Sequence, residues 1–114
     1  MKKFVVLYRS SVSAQGQMAN ATPEQAKEGM DAWMSWADEN KKSIVDLGTP
    51  LSGKKEVKQK NISNLKDGTI TGYSILQGES ADSIAEALKE HPHFLSPGDS
   101  SIEVFEILPM PGMK

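Results

Sequence analysis

Apolar residues in this chain fall into two kinds of pattern. Lys3 to Tyr8, "KFVVLY", is a continuous β-branched and aromatic run, as expected of a strand buried on both faces. Residues 9 to 21 are rich in Ser, Gln, Ala and Gly and read as a loop. "TPEQ" then opens a helix: Thr22 suits the N-cap, Pro23 the first turn, and Gln25 the third position of a capping box. The helix is expected to run to Asn40 or Lys42. Its apolar positions Ala26, Met30, Trp33, Met34, Trp36 and Ala37 cover an arc of roughly 160°, wider than one core face needs.

A short second strand follows in "SIVDLG". Residues 54 to 66, "KKEVKQKNISNLK", form an exposed, partly extended excursion with room for an edge strand. Asp67-Gly68 signals a turn. "TITGYSIL", 69 to 76, is a third strand. Ser80 caps a second helix, 81 to 90, with Ile84, Ala85 and Leu88 on one face. Pro92 stops it, "SSIEVFEIL" is the last strand, and "PMPGMK" is a tail. The order β-α-β-β-α-β predicts an α+β, ferredoxin-like fold: one antiparallel sheet with two helices on one face.

Alternation along these strands bears on assembly. Phe4, Val6 and Tyr8 oppose Val5 and Leu7; Ile102, Val104 and Leu108 oppose Phe105 and Ile107; Tyr73 and Ile75 oppose Ile70 and Leu76. Both faces are apolar, although helices cover one. A homodimer through the open sheet face is the simplest cover.

Composition narrows the functional classes. The 114 residues form one domain, 1–114. The absence of cysteine excludes disulfides, iron–sulfur clusters and thiolate zinc sites. A net charge of −2 gives no global attraction for nucleic acid or anionic membrane. The lysines at 54, 55, 58, 60 and 66 have no interleaved aromatic for base stacking, so a solvated edge is expected rather than a nucleic-acid site. The apolar run near the N-terminus is too short for a signal or membrane segment, and a soluble, cytoplasmic protein is expected. No P-loop, GxGxxG fingerprint or GxSxG elbow is present, and no cofactor is expected.

Three groups of residues could carry chemistry. His91 and His93, the two histidines of the chain, flank Pro92. Either can act as a general acid–base group, since histidine titrates near neutrality. His91 is better explained as a helix C-terminal cap, an explanation that does not extend to His93. H-x-H with Asp46 or Asp99 could supply three ligands, but the HExxH-type spacing is absent and no metal is expected. Asp46 interrupts an apolar strand, so its carboxylate faces either solvent or a pocket; beside a histidine it would complete an acid–base pair. Tyr8, Arg9 and Trp33 are candidate ligand-binding residues: a hydroxyl, a cation for an anionic ligand, and an apolar wall.

With the order of elements in view, the chain resembles the YCII-related family and its DGPF-type branch. The resemblance rests on "KFVVLYR", "GMDAWMSWADEN", "VDLGTPL", "GYSIL", "HPHF", "IEVFEI" and "PMPGM", which span almost the full length in order. It implies a ferredoxin-like fold paired into a dimeric α+β barrel. Two departures stand out. Only Asp67-Gly68 of a DGPF motif is present, with Thr69 and Ile70 in place of Pro and Phe. Some relatives carry a first-helix histidine proposed to pair with an aspartate, and residues 22 to 43 here contain no histidine. The residues thus point to a small-molecule-binding domain with possible acid–base chemistry of the lyase or isomerase type, or to a non-catalytic module sharing only the fold.

Overall fold

The computed structural model describes residues 1–65, 70–95 and 98–111. The Asp67-Gly68 turn and Thr69 lie outside the described residues. The elements are β1 (Lys2–Ser10), α1 (Ala14–Asn20), α2 (Pro23–Glu39), β2 (Ile44–Asp46), β3 (Lys55–Lys58), β4 (Asn61–Asn64), β5 (Ile70–Gly78), α3 (Ala81–Leu88) and β6 (Ser100–Glu106). Short 3₁₀ turns occupy Lys41–Ser43 and Pro92–Leu95.

The main sheet is antiparallel with strand order β2-β5-β1-β6. That order is the ferredoxin-like arrangement: β1 and β5, the first strand of each strand–helix–strand half, sit side by side in the centre. The class is therefore α+β. Two additions decorate the frame. α1 lies in the stretch expected to be a loop, and β3 with β4 forms a separate two-stranded ribbon where an edge strand was allowed.

Local signals explain the elements. Thr22 and Gln25 exchange both capping-box hydrogen bonds at the start of α2. Ser80 and Ser83 do the same for α3. Ser13 caps α1 by accepting from the Gly16 N–H. Asn40 ends α2 by returning its side-chain amide to the Trp36 carbonyl at 2.9 Å.

Alternation puts Phe4, Val6 and Tyr8 of β1 on one face, where they pack with Leu76, Trp36, Ala37, Ile84 and Leu88. Ile102 and Val104, registered opposite Tyr8 and Val6, join from β6. Burying this set of side chains, at ~1.5–3 kcal/mol for each large one, is the main force holding α2 and α3 to the sheet. On the opposite face lie Val5 and Leu7, with Tyr73 and Ile75 paired to them from β5. Phe105, registered opposite Val5, is 50% exposed there. This second face carries an apolar centre flanked by Lys3, Gln77, Arg9 and Glu103, and among the described residues no helix joins it.

Candidate functional site

The helix-side face of β1 ends in a cavity of about 300 Å³. Tyr8 forms its floor, and the outward turns of α2 supply Met30, Trp33 and Met34. Met18 of α1 adds a third methionine, and the loop Leu47–Pro50 closes the side along β5. His93 completes the wall. Among the described lining residues there is no Lys, Arg, Asp or Glu. The cavity is apolar with a few polar atoms, the usual character of a small-molecule site.

Each wall has a local cause. Met30 and Met34, and Gly29 and Trp33, are spaced i,i+4 and so share one side of α2. Gly48 adopts φ +82°, and a Cβ there would lie 1.6 Å from the Tyr73 carbonyl oxygen. Only glycine lets the loop press this closely on β5. The Tyr8 hydroxyl donates to Ser74 Oγ at 2.8 Å, because Ser74 spends its own proton on the Leu47 carbonyl. Burial pushes the Tyr8 phenol up from its ordinary value, opposed in part by the Ser74 hydrogen bond, so Tyr8 stays a neutral donor.

The two histidines have separate surroundings. His93 is 4% exposed and its Nε2–H donates to the Arg9 backbone carbonyl at 2.7 Å. A carbonyl can only accept, which fixes the neutral ring's proton on Nε2 and its lone pair on Nδ1. His93 is thus anchored to the sheet on one side and borders the cavity on the other. Its ring centroid lies 5.3 Å from that of Tyr8.

His91 is 1% exposed and belongs to the core. It stacks on Tyr8 at 4.9 Å and meets Trp33 and Trp36 edgewise at 4.4 and 4.5 Å. Its Nδ1 accepts the His93 backbone N–H at 2.9 Å, so the ring proton sits on Nε2, which is buried with no hydrogen-bond partner among the described residues. Burial first, and the neighbouring His93 second, push its pKa down to about 3. The expectation of a helix-end cap is thereby corrected. A dipole cap would be a charged, solvated ring, whereas this ring is neutral and enclosed by aromatics. The reason is the 3₁₀ turn at Pro92–Leu95, which folds the chain inward just after α3.

Asp46 is exposed and joins neither histidine. Its Oδ1 accepts from the Gly48 N–H at 2.9 Å and its Oδ2 from the Tyr73 hydroxyl at 3.3 Å. The Asp46 charge raises the Tyr73 phenol above its ordinary value. Arg9 points away from the cavity: strand alternation sends it to the open face, where it pairs with Glu103. What Arg9 contributes to the site is its carbonyl. Tyr8 and Trp33 line the cavity, and His93 joins them; Asp46 and the Arg9 side chain do not. Sequence reasoning missed Met18 and Gln17, because α1 was read as loop. Ser13 ahead of "AQGQMAN" was the available N-cap signal, masked by Gly16 in the middle of the helix. Among the described residues no group of three His, Asp or Glu side chains could hold a metal ion. No helix of the described chain is long and apolar enough to cross a membrane.

No family model and no curated protein matches this chain. Among solved structures it is similar to 5-chloro-2-hydroxyhydroquinone dehydrochlorinase from Burkholderia phenoliruptrix AC1100, in complex with 2,5-dihydroxybenzoquinone. That match has 18% sequence identity and a TM-score of 0.49, covering 89% of this chain and 90% of the other.

Proposed function

We propose that this protein binds a small, neutral, largely apolar molecule in the cavity over Tyr8, with His93 as the acid–base group. One observation carries the reading: His93 is anchored through Nε2, so its Nδ1 lone pair is the basic atom left to a ligand on an otherwise apolar wall. The absence of charged side chains from the described lining disfavours carboxylate or phosphate ligands, which need a paired cation when desolvated. A ligand that donates one hydrogen bond to His93 and stacks on Trp33 fits the lining. Chemistry at such a site is proton transfer within the bound molecule, as in cofactor-independent lyase or isomerase steps.

The non-catalytic alternative is favoured by one specific fact: among the described residues no carboxylate pairs with His93, and Asp46 is held by Gly48 and Tyr73 instead. The test is a thermal-shift screen of a metabolite library, followed by titration of His93→Ala and His93→Gln with any binder. Loss of at least ~tenfold affinity in both variants, with the fold retained, is the expected result. Wild-type affinity in both would remove His93 from the site. Turnover of the binder by wild type but not by the variants would decide for an enzyme.

We also infer that two copies pair through the open sheet face, as in the YCII-related family that the motif series resembles. The support is the apolar set Val5, Leu7, Tyr73, Ile75 and Phe105, which a solvated antiparallel sheet would replace with polar residues. Such an interface would bury about 800 Å² per partner. Sedimentation at micromolar concentration should give twice 12.4 kDa, and a clean monomer would refute it.

A further inference from the structure

The polar side chains on the wall of the cavity over Tyr8 fall into two groups. In the first, the proton is already committed. The Tyr8 hydroxyl donates to Ser74 Oγ, the Thr71 hydroxyl to the Tyr8 backbone carbonyl at 3.2 Å, and the Tyr73 hydroxyl to Asp46 Oδ2. Thr49 is exposed at the rim. The second group is His93 and Gln17. Each spends a nitrogen on a backbone carbonyl: His93 Nε2 on Arg9, and Gln17 Nε2 on Val12 at 2.8 Å. A carbonyl can only accept, so the amide nitrogen of Gln17 faces Val12 and the amide oxygen is the atom left over. Among the described residues neither Gln17 Oε1 nor His93 Nδ1 has a hydrogen-bond partner.

Both leftover atoms are acceptors. One comes from α1 and the other from the turn after α3, so they belong to different walls. A ligand that only accepts, such as a ketone or an ether, satisfies neither. Sealing the cavity with one would leave two lone pairs desolvated and unpaired, which is costly. The described lining carries no charged side chain, so the ligand's donors have to be uncharged as well. Phenolic hydroxyls meet both conditions, because they keep their proton and stay neutral near pH 7. The remaining wall suits a flat ring. Trp33 and Tyr8 meet at 66° with centroids 5.2 Å apart, and the thioethers of Met18, Met30 and Met34 make favourable contacts with aromatic edges.

We propose that the cavity takes a neutral aromatic carrying two separated hydroxyl donors, one held by His93 Nδ1 and the other by Gln17 Oε1. It rests on the reading of His93 above and deepens it: His93 selects for a donor, and Gln17 selects two donors over one. The Val12 tether fixes the Gln17 amide before a ligand arrives, so little side-chain freedom is lost on binding. A site of this kind discriminates strongly against an analogue whose hydroxyl is capped.

Isothermal titration under argon with the three benzenediol isomers and their monomethyl ethers tests this. The isomers serve as a ruler for the separation of the two acceptors. At least one isomer should bind wild type about tenfold or more tightly than its ether. In Gln17→Met, with the fold verified by circular dichroism, that preference should vanish while the ether binds as before. A preference that survives in Gln17→Met overturns the proposal. So does an equal loss for diol and ether, which would make Gln17 a structural prop of α1. If diol and ether bind wild type equally and His93→Gln weakens both, the second donor is overturned and the reading of His93 stands. If neither substitution changes diol binding, the ligand sits elsewhere and both fall. If no isomer binds in the millimolar range, the aromatic diol is overturned, and the metabolite screen decides the reading of His93 by itself.

Discussion

His91 and His93 lie two residues apart and live in different media. His91 is walled in by Tyr8, Trp33 and Trp36, and its ring accepts a hydrogen bond from the backbone N–H of His93. His93 gives its proton to the Arg9 carbonyl and borders a cavity. The difference shows how a short turn can divide labour between identical side chains. The first residue turns inward and becomes a core ring that happens to contain nitrogen. The second is held by backbone at one nitrogen, Nε2, and lines the cavity. The core histidine also holds its neighbour, since the His91 Nδ1 accepts the His93 backbone N–H in the turn from which His93 projects.

The largest effect that tests this contrast is acid destabilisation. The pKa of His91 is near 3 when folded and about 6.5 when unfolded. Between those values the unfolded chain binds a proton that the folded chain refuses, so stability is full above about pH 6.5 and falls as pH drops toward 3. The slope approaches about 1.4 kcal/mol per pH unit, for a total of several kcal/mol. Urea unfolding at a series of pH values measures it, and His91→Phe should flatten that part of the curve. An unchanged slope in His91→Phe would mean that His91 is not the sheltered ring described.

A somewhat smaller effect separates the two histidines by truncation. His91→Ala empties a site ringed by three aromatics and should cost about 2–4 kcal/mol, by analogy with other large-to-small core changes. His93→Ala should cost distinctly less, because one side of its ring already faces a void. Equal losses would erase the distinction between core and wall.

The smallest effect concerns Arg9. Its side chain pairs with Glu103 at a partly exposed position, so Arg9→Gln should change stability by less than about 1 kcal/mol. Ligand affinity should stay at the wild-type level, because the carbonyl that anchors His93 belongs to the backbone. A large loss of affinity would put the guanidinium in the site after all.

Much of the frame was legible from local chemistry. "TPEQ" announced the capping box of α2, and the apolar run from Phe4 to Tyr8 announced the central strand. Alternation within β1 also held an unused warning. If Tyr8 faces the helices, Arg9 faces the other way, and the two cannot line one cavity through their side chains. α1 escaped notice because Gly16 lowers its helix propensity and its seven residues are too few and too polar to show an apolar stripe. The fate of His91 could not be read from its neighbours. Burial depends on where the Pro92 turn carries the ring in space, and the aromatics that receive it lie more than fifty residues earlier in the chain. Trp33 and Tyr8 were legible as pocket candidates from the wide apolar arc and the strand end, whereas Met18 depended on seeing α1.

The wall that Met18, Met30 and Met34 make is soft in a chemical sense as well as a mechanical one. Thioethers are the groups on that wall that peroxide attacks first, and each sulfoxide turns a flexible apolar arm into a strong dipole. All three side chains are largely open to solvent. The same residues that line the cavity therefore tie its polarity and shape to the oxidative history of the sample, and a preparation aged in air does not present the same wall as a fresh one.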